Sequence, residues 1–142
     1  MKALKIVNSM SGSSMDEADL KRHRTNVERA CKLAAHKADI KVKRFKVGSI
    51  SCEAVIPELA HNPRYVILYA HGGGYVSGGL WYARILAAKM ALSTGFTTVS
   101  FDYRLAPESP YPAALDDGLA VWDYLSKEKY SRRLRRTANW YS

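Results

Sequence analysis

The sequence has few groups with which to bind a metal or form cross-links. Its 142 residues contain two cysteines, Cys31 and Cys52, one in a helical pattern and one in a strand pattern. Neither belongs to a C-x-x-C or Cys/His ligand spacing, so there is no disulfide framework or thiolate metal site to read, and reduced thiols are expected. No metal and no cofactor is implied. Long apolar runs are missing too. Ile6-Val7 gives way at once to Asn8-Ser9, which leaves no secretory core, and nothing approaches the ~20 apolar residues of a membrane helix. The expectation is a cytoplasmic chain with no membrane span.

Acid is missing from one place in particular. Residues 129–142 hold Lys129, Arg132, Arg133, Arg135 and Arg136 and no Asp or Glu, so this stretch supplies +5 of the formal net charge of +9. A basic surface attracts phosphates when a folded face displays it. Here the charge sits on a segment with no amphipathic period, so no specific nucleic-acid partner is expected. The remaining composition, 47% hydrophobic and 25% charged for the whole chain, is that of a globular domain with one core.

Periodicity supplies the elements. Ser14 and Glu17 have capping-box spacing, and Val27, Ala30, Cys31 and Ala34 then recur at helical intervals, which predicts a helix over 15–37. From Ile40 to Pro57 the residues alternate on either side of Gly48-Ser49, the pattern of two strands joined by a turn. Tyr65 to Ala70 is a short continuous apolar run, typical of a strand buried on both faces. Trp81, Ile85, Ala88 and Leu92 form a helical stripe ending at Gly95, and Thr97–Phe101 reads as another strand, completing a β-α-β unit. After Pro107, Pro110 and Pro112 a last helix places Leu115, Leu119 and Trp122 on one face and fades near Lys127. The fold class is α/β, divided into a helical segment over 1–38, a partial α/β domain over 39–128, and a compositionally distinct tail over 129–142.

The residues that bear chemistry follow the apolar strand. His71-Gly72-Gly73-Gly74 lets the backbone turn sharply and approach a ligand without Cβ interference, leaving N–H groups free to meet an anion. Gly73 and Gly74 are the candidate donors, with His71 and Gly72 as loop support. Glycine runs of this type form the oxyanion loop of lipases and esterases. His71, at a strand end before glycines, reads as a structural hydrogen-bonding residue and not as a base, and His23, His36 and His61 read as solvated. Asp116-Asp117 are adjacent on a helix and diverge by roughly 100°, so they read as acids favouring a helix N-terminus and not as a catalytic pair.

His71-Gly72-Gly73-Gly74-Tyr75-Val76-Ser77-Gly78, then Asp102-Tyr103-Arg104-Leu105-Ala106-Pro107-Glu108, then Tyr111-Pro112-Ala113-Ala114-Leu115-Asp116-Asp117 resemble the hormone-sensitive-lipase-like branch of the α/β-hydrolases, over about Val42 to Leu125. The resemblance implies a mostly parallel sheet with helices on both faces, preceded by a helical cap segment. It implies hydrolysis of small or medium acyl esters through a serine acyl-enzyme. It also implies roles: Gly73 and Gly74 as two of three oxyanion donors; Asp102, Tyr103, Arg104 and Glu108 as a brace for that loop; Tyr75 and Trp81 beside an acyl pocket. No G-x-S-x-G pentapeptide occurs in the 142 residues, so the nucleophile is none of these residues, and the family's acid and base are missing with it. The expectation is an oxyanion-hole half of an incomplete domain, inactive alone, with the tail a non-homologous segment. The alternatives are a non-catalytic ligand-binding module, as in the gibberellin receptors that resemble this family, or a half that a separately encoded partner complements. In either case the Tyr65–Ala70 strand would leave an open sheet edge for that partner or for self-association.

Overall fold

The computed structural model describes residues 16–34, 39–59 and 65–127. The chain forms α1 (Glu17–Ala34), β1 (Ile40–Val47), β2 (Ile50–Pro57), β3 (Val66–Tyr69), α2 (Leu80–Thr94), β4 (Thr97–Phe101) and α3 (Ala113–Ser126). Ser14, His36, His61 and the tail lie outside the described residues. At the start of α1 the Asp19 amide donates to the Asp16 carboxylate at 2.7 Å, a side-chain cap of the ordinary kind. None of the described helices is long and apolar enough to cross a membrane.

The four strands make one sheet in the order β1-β2-β4-β3. β1 and β2 are an antiparallel hairpin with Val47 opposite Ile50, its turn carried by Gly48 at φ 59°. β2 pairs antiparallel with β4, and β4 pairs parallel with β3 through the α2 crossover. The described part of the α/β sheet is mixed: the β1–β2 and β2–β4 pairings are antiparallel and the β4–β3 pairing is parallel. β3 is one of its two edge strands, and all four of its residues are half-buried. The burial on both faces read from Tyr65–Ala70 is only partial: Tyr65 is exposed and the β3 residues are half-buried, on a strand paired with β4 alone among the described residues.

Helices cover both faces. On one side Val55 of β2 packs against Ala87 and Ala91 of α2; on the other, Cys52 and Phe101 pack against Val121 of α3. Three stripes differ from the sequence reading. α1 buries Leu20, while Ala30 and Ala34 stay exposed. α2 turns its alanines inward, at 83, 87 and 91, and leaves Leu92 exposed, since small side chains let the helix axis approach the sheet. α3 buries Asp117 and Val121, and its apolar residues Leu115, Leu119 and Trp122 are each more than half exposed.

One charged pair lies inside the α2 face. Glu53, wholly buried on β2, accepts hydrogen bonds from both Nε and Nη2 of Arg84, the former at 2.6 Å, and Arg44 adds a third at 3.1 Å. The Arg84 guanidinium also lies 3.9 Å from the Trp81 ring centroid. Removing one member of such a pair strands a buried charge and costs about 3 kcal/mol or more, whereas apolar replacement of both members is far milder. Arg84→Met is therefore expected to lower the unfolding free energy by about 3 kcal/mol, and the double variant Arg84→Met/Glu53→Leu to recover most of that loss. Urea titration followed by circular dichroism reads both; equal losses in the single and double variants would contradict the assignment.

Candidate functional site

β3 delivers the chain to His71, which is buried. Its carbonyl accepts a 2.6 Å hydrogen bond from the Tyr103 hydroxyl, and its ring stacks on Tyr103 with centroids 4.3 Å apart. Nδ1 lies 2.9 Å from the Gly72 carbonyl, so the ring donates there and serves as a structural member of the loop. Burial, with nearby tyrosines and Asp102 adding to it, pushes the Tyr103 hydroxyl up to about 12, which keeps it a donor at every physiological pH.

Beyond His71 the backbone enters conformations that side chains disfavour. Gly73 has φ 121° and Gly74 φ 62°. A Cβ on Gly73 would stand 2.1 Å from the Ser77 carbonyl oxygen, and one on Gly78 would stand 2.5 Å from His71 Nδ1. Tyr75, also left-handed at φ 62°, is held there because its carbonyl accepts the Ala106 amide at 2.8 Å. The Gly73 carbonyl accepts both the Val76 and the Ser77 amide at 3.1 Å. The amides of Gly73 and Gly74 find no protein acceptor among the described residues, on an exposed stretch of loop. Such a pair of N–H groups can receive a developing negative charge.

The structure divides the expected brace. Tyr103 grips the loop directly. Arg104 instead holds α3: its backbone amide and guanidinium contact the Asp117 carboxylate at 2.7–3.0 Å, and Nη2 reaches the Ala113 carbonyl at 3.3 Å. Asp117, buried on the helix side facing the 104 turn, is thus the ion-pair partner of Arg104, a role that the spacing of Asp116-Asp117 did not reveal. Asp102 ties its amide to the Ser51 carbonyl at 2.9 Å. Its carboxyl is pushed above the usual range by burial, with His71 pulling down and Glu28 pushing up. Glu108 pairs with Arg24 of α1 at 2.8 Å.

Arg24 and Glu28 were not found by motif reading. Arg24 also donates to the Val76 and Ala106 carbonyls, at 2.7 Å each. Glu28 accepts the amides of Trp81 and Tyr82 at 3.2 and 3.0 Å, capping α2 from another helix where the N-cap Gly79 has no side chain to do so. The available signal was opposite charges at i and i+4, continuing from an apolar Leu20 on the same stripe.

Tyr75 and Trp81 are not brought together. Tyr75 lines an apolar cleft of about 600 Å³ with Gly74, Leu68, Tyr103, Tyr111 and Leu119. Trp81 lines a separate cavity with Glu28, Arg44 and Asp102, its ring approached by Lys32, Arg44 and Arg84. Trp81 is thus a packing platform for cations, and of the two residues Tyr75 adjoins the glycine loop. Among the described residues no group of three or more His, Cys, Asp or Glu side chains is placed to hold a metal ion.

Comparison with known proteins follows this geometry. The family described as alpha/beta hydrolase fold matches residues 67–139. Esterase LipI of Mycobacterium tuberculosis is 42% identical over 71 residues, which is 50% of this chain and 22% of that protein. Carboxylesterase NlhH of the same organism is 44% identical over 65 residues, 46% of this chain and 20% of that protein. A crystal structure of a hormone-sensitive lipase from a metagenome library superposes with a TM-score of 0.72 at 30% identity, covering 88% of this chain and 41% of that one. The chain spans about a fifth of the length of these curated relatives.

The carboxylates that hold the turn set an acid limit on stability. Burial pushes the Asp117 carboxyl up, but the hydrogen bonds and charge of Arg104 outweigh it and leave it below its usual value. The Arg24 hydrogen bond lowers Glu108 likewise. A lowered folded value means fewer bound protons in the folded state than in the unfolded state. The contribution is therefore complete above the usual carboxylate range and is lost as pH falls through that range towards the folded value. The midpoint of urea unfolding is expected to fall between about pH 5 and pH 3, and Asp117→Asn is expected to flatten part of that fall. An unchanged slope in the variant would remove Asp117 from the account.

Proposed function

The chain belongs to the α/β-hydrolase fold family, on the branch that resembles hormone-sensitive lipase, and from that premise we propose that it serves carboxylic-ester hydrolysis as the part that stabilises the oxyanion. One observation carries the reading: two adjacent glycine amides, Gly73 and Gly74, stand without acceptors among the described residues, on a loop held by the Val76 and Ser77 amides on the Gly73 carbonyl and by the Ala106 amide on the Tyr75 carbonyl. When an ester carbonyl is attacked, its oxygen gains a full negative charge. Donors that are already aimed at that charge lower the barrier without reorganising, each by roughly 2.7–4 kcal/mol. His71 and Gly72 shape the loop, and Tyr103 anchors it. The apolar cleft beside Gly74 and Tyr75 suits a small acyl or alcohol group.

No G-x-S-x-G elbow occurs in this sequence to carry the attacking serine, so hydrolysis takes place only with polypeptide that brings that serine together with the acid and base that activate it. A second reading, a half-domain that a partner completes or that recognises ligand without turnover, is favoured by two features on the same side. β3 has a free edge among the described residues, and α3 exposes Leu115, Leu119 and Trp122. An uncharged edge strand beside exposed apolar surface is the kind of surface that adds strands from another chain.

Two measurements test the function. The purified chain is expected to show no acyl burst and negligible turnover of p-nitrophenyl acetate; robust, titratable hydrolysis would refute the division of labour. Grafting residues 65–127 into the equivalent place of an active esterase of this family should preserve activity. In that chimera Gly73→Ala keeps the amide N–H, but its Cβ would meet the Ser77 carbonyl oxygen at 2.1 Å and push the donors out of place, so kcat should fall by about 10²–10³ with KM little changed, as when one aimed donor is removed. A chimera indifferent to Gly73→Ala would overturn the oxyanion role.

A further inference from the structure

α1 lies outside the 67–139 span that matches the family, yet it touches the end of the glycine loop and the turn that braces it. Leu20 packs with Val76 and Ala106 in a small buried cluster. One turn on, the Arg24 guanidinium reaches three separate acceptors. Nε donates to the Val76 carbonyl at 2.7 Å, and Nη2 to the Ala106 carbonyl at 2.7 Å and to Glu108 at 3.0 Å. Nη1 donates to the other Glu108 oxygen at 2.8 Å.

Both carbonyls begin a path to the same atom. The Val76 carbonyl belongs to the peptide unit whose N–H is that of Ser77, and that N–H donates to the Gly73 carbonyl at 3.1 Å. Ala106, held through its carbonyl, donates its own amide to the Tyr75 carbonyl at 2.8 Å. The N–H of that peptide, from Val76, also donates to the Gly73 carbonyl at 3.1 Å. Peptide units are planar and trans, so fixing a carbonyl fixes the N–H on its far side in the opposite direction. The Gly73 carbonyl and the Gly74 N–H share one such unit. Pinning the former therefore aims the latter away from the protein. The guanidinium strengthens the first path, because a charged donor polarises the Val76–Ser77 peptide beyond it; on the second path the Ala106 carbonyl leads into Pro107, which has no N–H, so Arg24 acts there by holding Ala106 in place.

We propose that Arg24 is a positioning residue that orients the Gly74 N–H through two converging backbone paths, so that α1 is a clamp setting the direction of the oxyanion donor. The proposal rests on the reading of Gly74 as such a donor. Lysine cannot replace arginine here: a single ammonium has no planar fork with which to hold two carbonyls and a carboxylate at once.

The test uses the 142-residue chain, labelled with ¹⁵N, and reads amide hydrogen exchange and the Gly74 amide shift in Arg24→Ala, Arg24→Lys and Glu108→Gln. Loss of the two paths should speed exchange at Val76 and Ser77 by about tenfold in Arg24→Ala, the effect of one net hydrogen bond, and should move the Gly74 signal. Arg24→Lys should fall between that variant and the parent, and Glu108→Gln, which leaves both paths intact, should stay near the parent. The Val99 amide in β4 is the internal reference and should not change. Parent-like exchange at Ser77 in Arg24→Ala, an equal acceleration at Val99, or full rescue by lysine would each overturn the proposal. Exchange is read without any ester present, so its outcome is independent of the chimera's hydrolysis. An indifferent loop with an active, glycine-dependent chimera removes the clamp alone; a loosened loop with a glycine-indifferent chimera removes the oxyanion reading and leaves Arg24 as a clamp on the loop without a catalytic purpose.

Discussion

The Ser77 carbonyl oxygen stands where a side chain on Gly73 would begin, 2.1 Å from the position of its Cβ. This contact closes the loop after β3 into a turn so tight that the Gly73 carbonyl takes two amides, and it leaves no residue other than glycine at that place. The neighbouring constraints have the same origin. Gly78 must leave room for the His71 ring, His71 must be buried for its carbonyl to meet Tyr103, and Tyr103 must lie close behind the end of β4 at Phe101 to reach it. A loop of this kind has almost no conformational freedom left, which allows its unpaired amides to keep a direction.

Three arginine–carboxylate pairs carry the scaffold around that loop, and their surroundings decide what each contributes. Glu53–Arg84 is sealed between sheet and α2, where loss of either partner strands a charge. Arg104–Asp117 has a buried carboxylate and an exposed guanidinium and fastens α3 to the turn after β4 by geometry more than by charge. Arg24–Glu108 lies at the rim and as an ion pair alone is worth little; its importance lies in the two backbone carbonyls that the same guanidinium holds.

The two sheet edges are unlike. β1 carries Lys41, Lys43 and Lys46, the charged type of edge that resists pairing with other chains. β3 reads Val-Ile-Leu-Tyr and continues into the apolar cleft and the exposed face of α3. Apolar residues at helical spacing normally mark the buried stripe, and in α3 that stripe faces outward on the side of the bare edge.

The order of elements, the β-α-β unit, the hairpin turn and the glycine loop were legible in the sequence, because each rests on local chemistry: alternation or helical period, a stopping glycine, and a run of residues that only close backbone approach requires. The family was legible for the same reason, from motifs contiguous along the chain. The partners of those motifs were not. That Arg104 reaches Asp117 and not the glycines, that Arg24 and Glu28 hold a loop more than 50 residues away, and that Trp81 faces cations and not the cleft of Tyr75 depend on how α1 and α3 cross the sheet. Likewise the sense in which a stripe faces, inward for the alanines of α2 and outward for Leu115, Leu119 and Trp122, depends on which neighbours are there to cover it. Sequence by itself determined the local backbone and the chemistry it offers; tertiary structure decided which distant charge meets which peptide, because long-range pairing is set by packing and leaves no period in the chain.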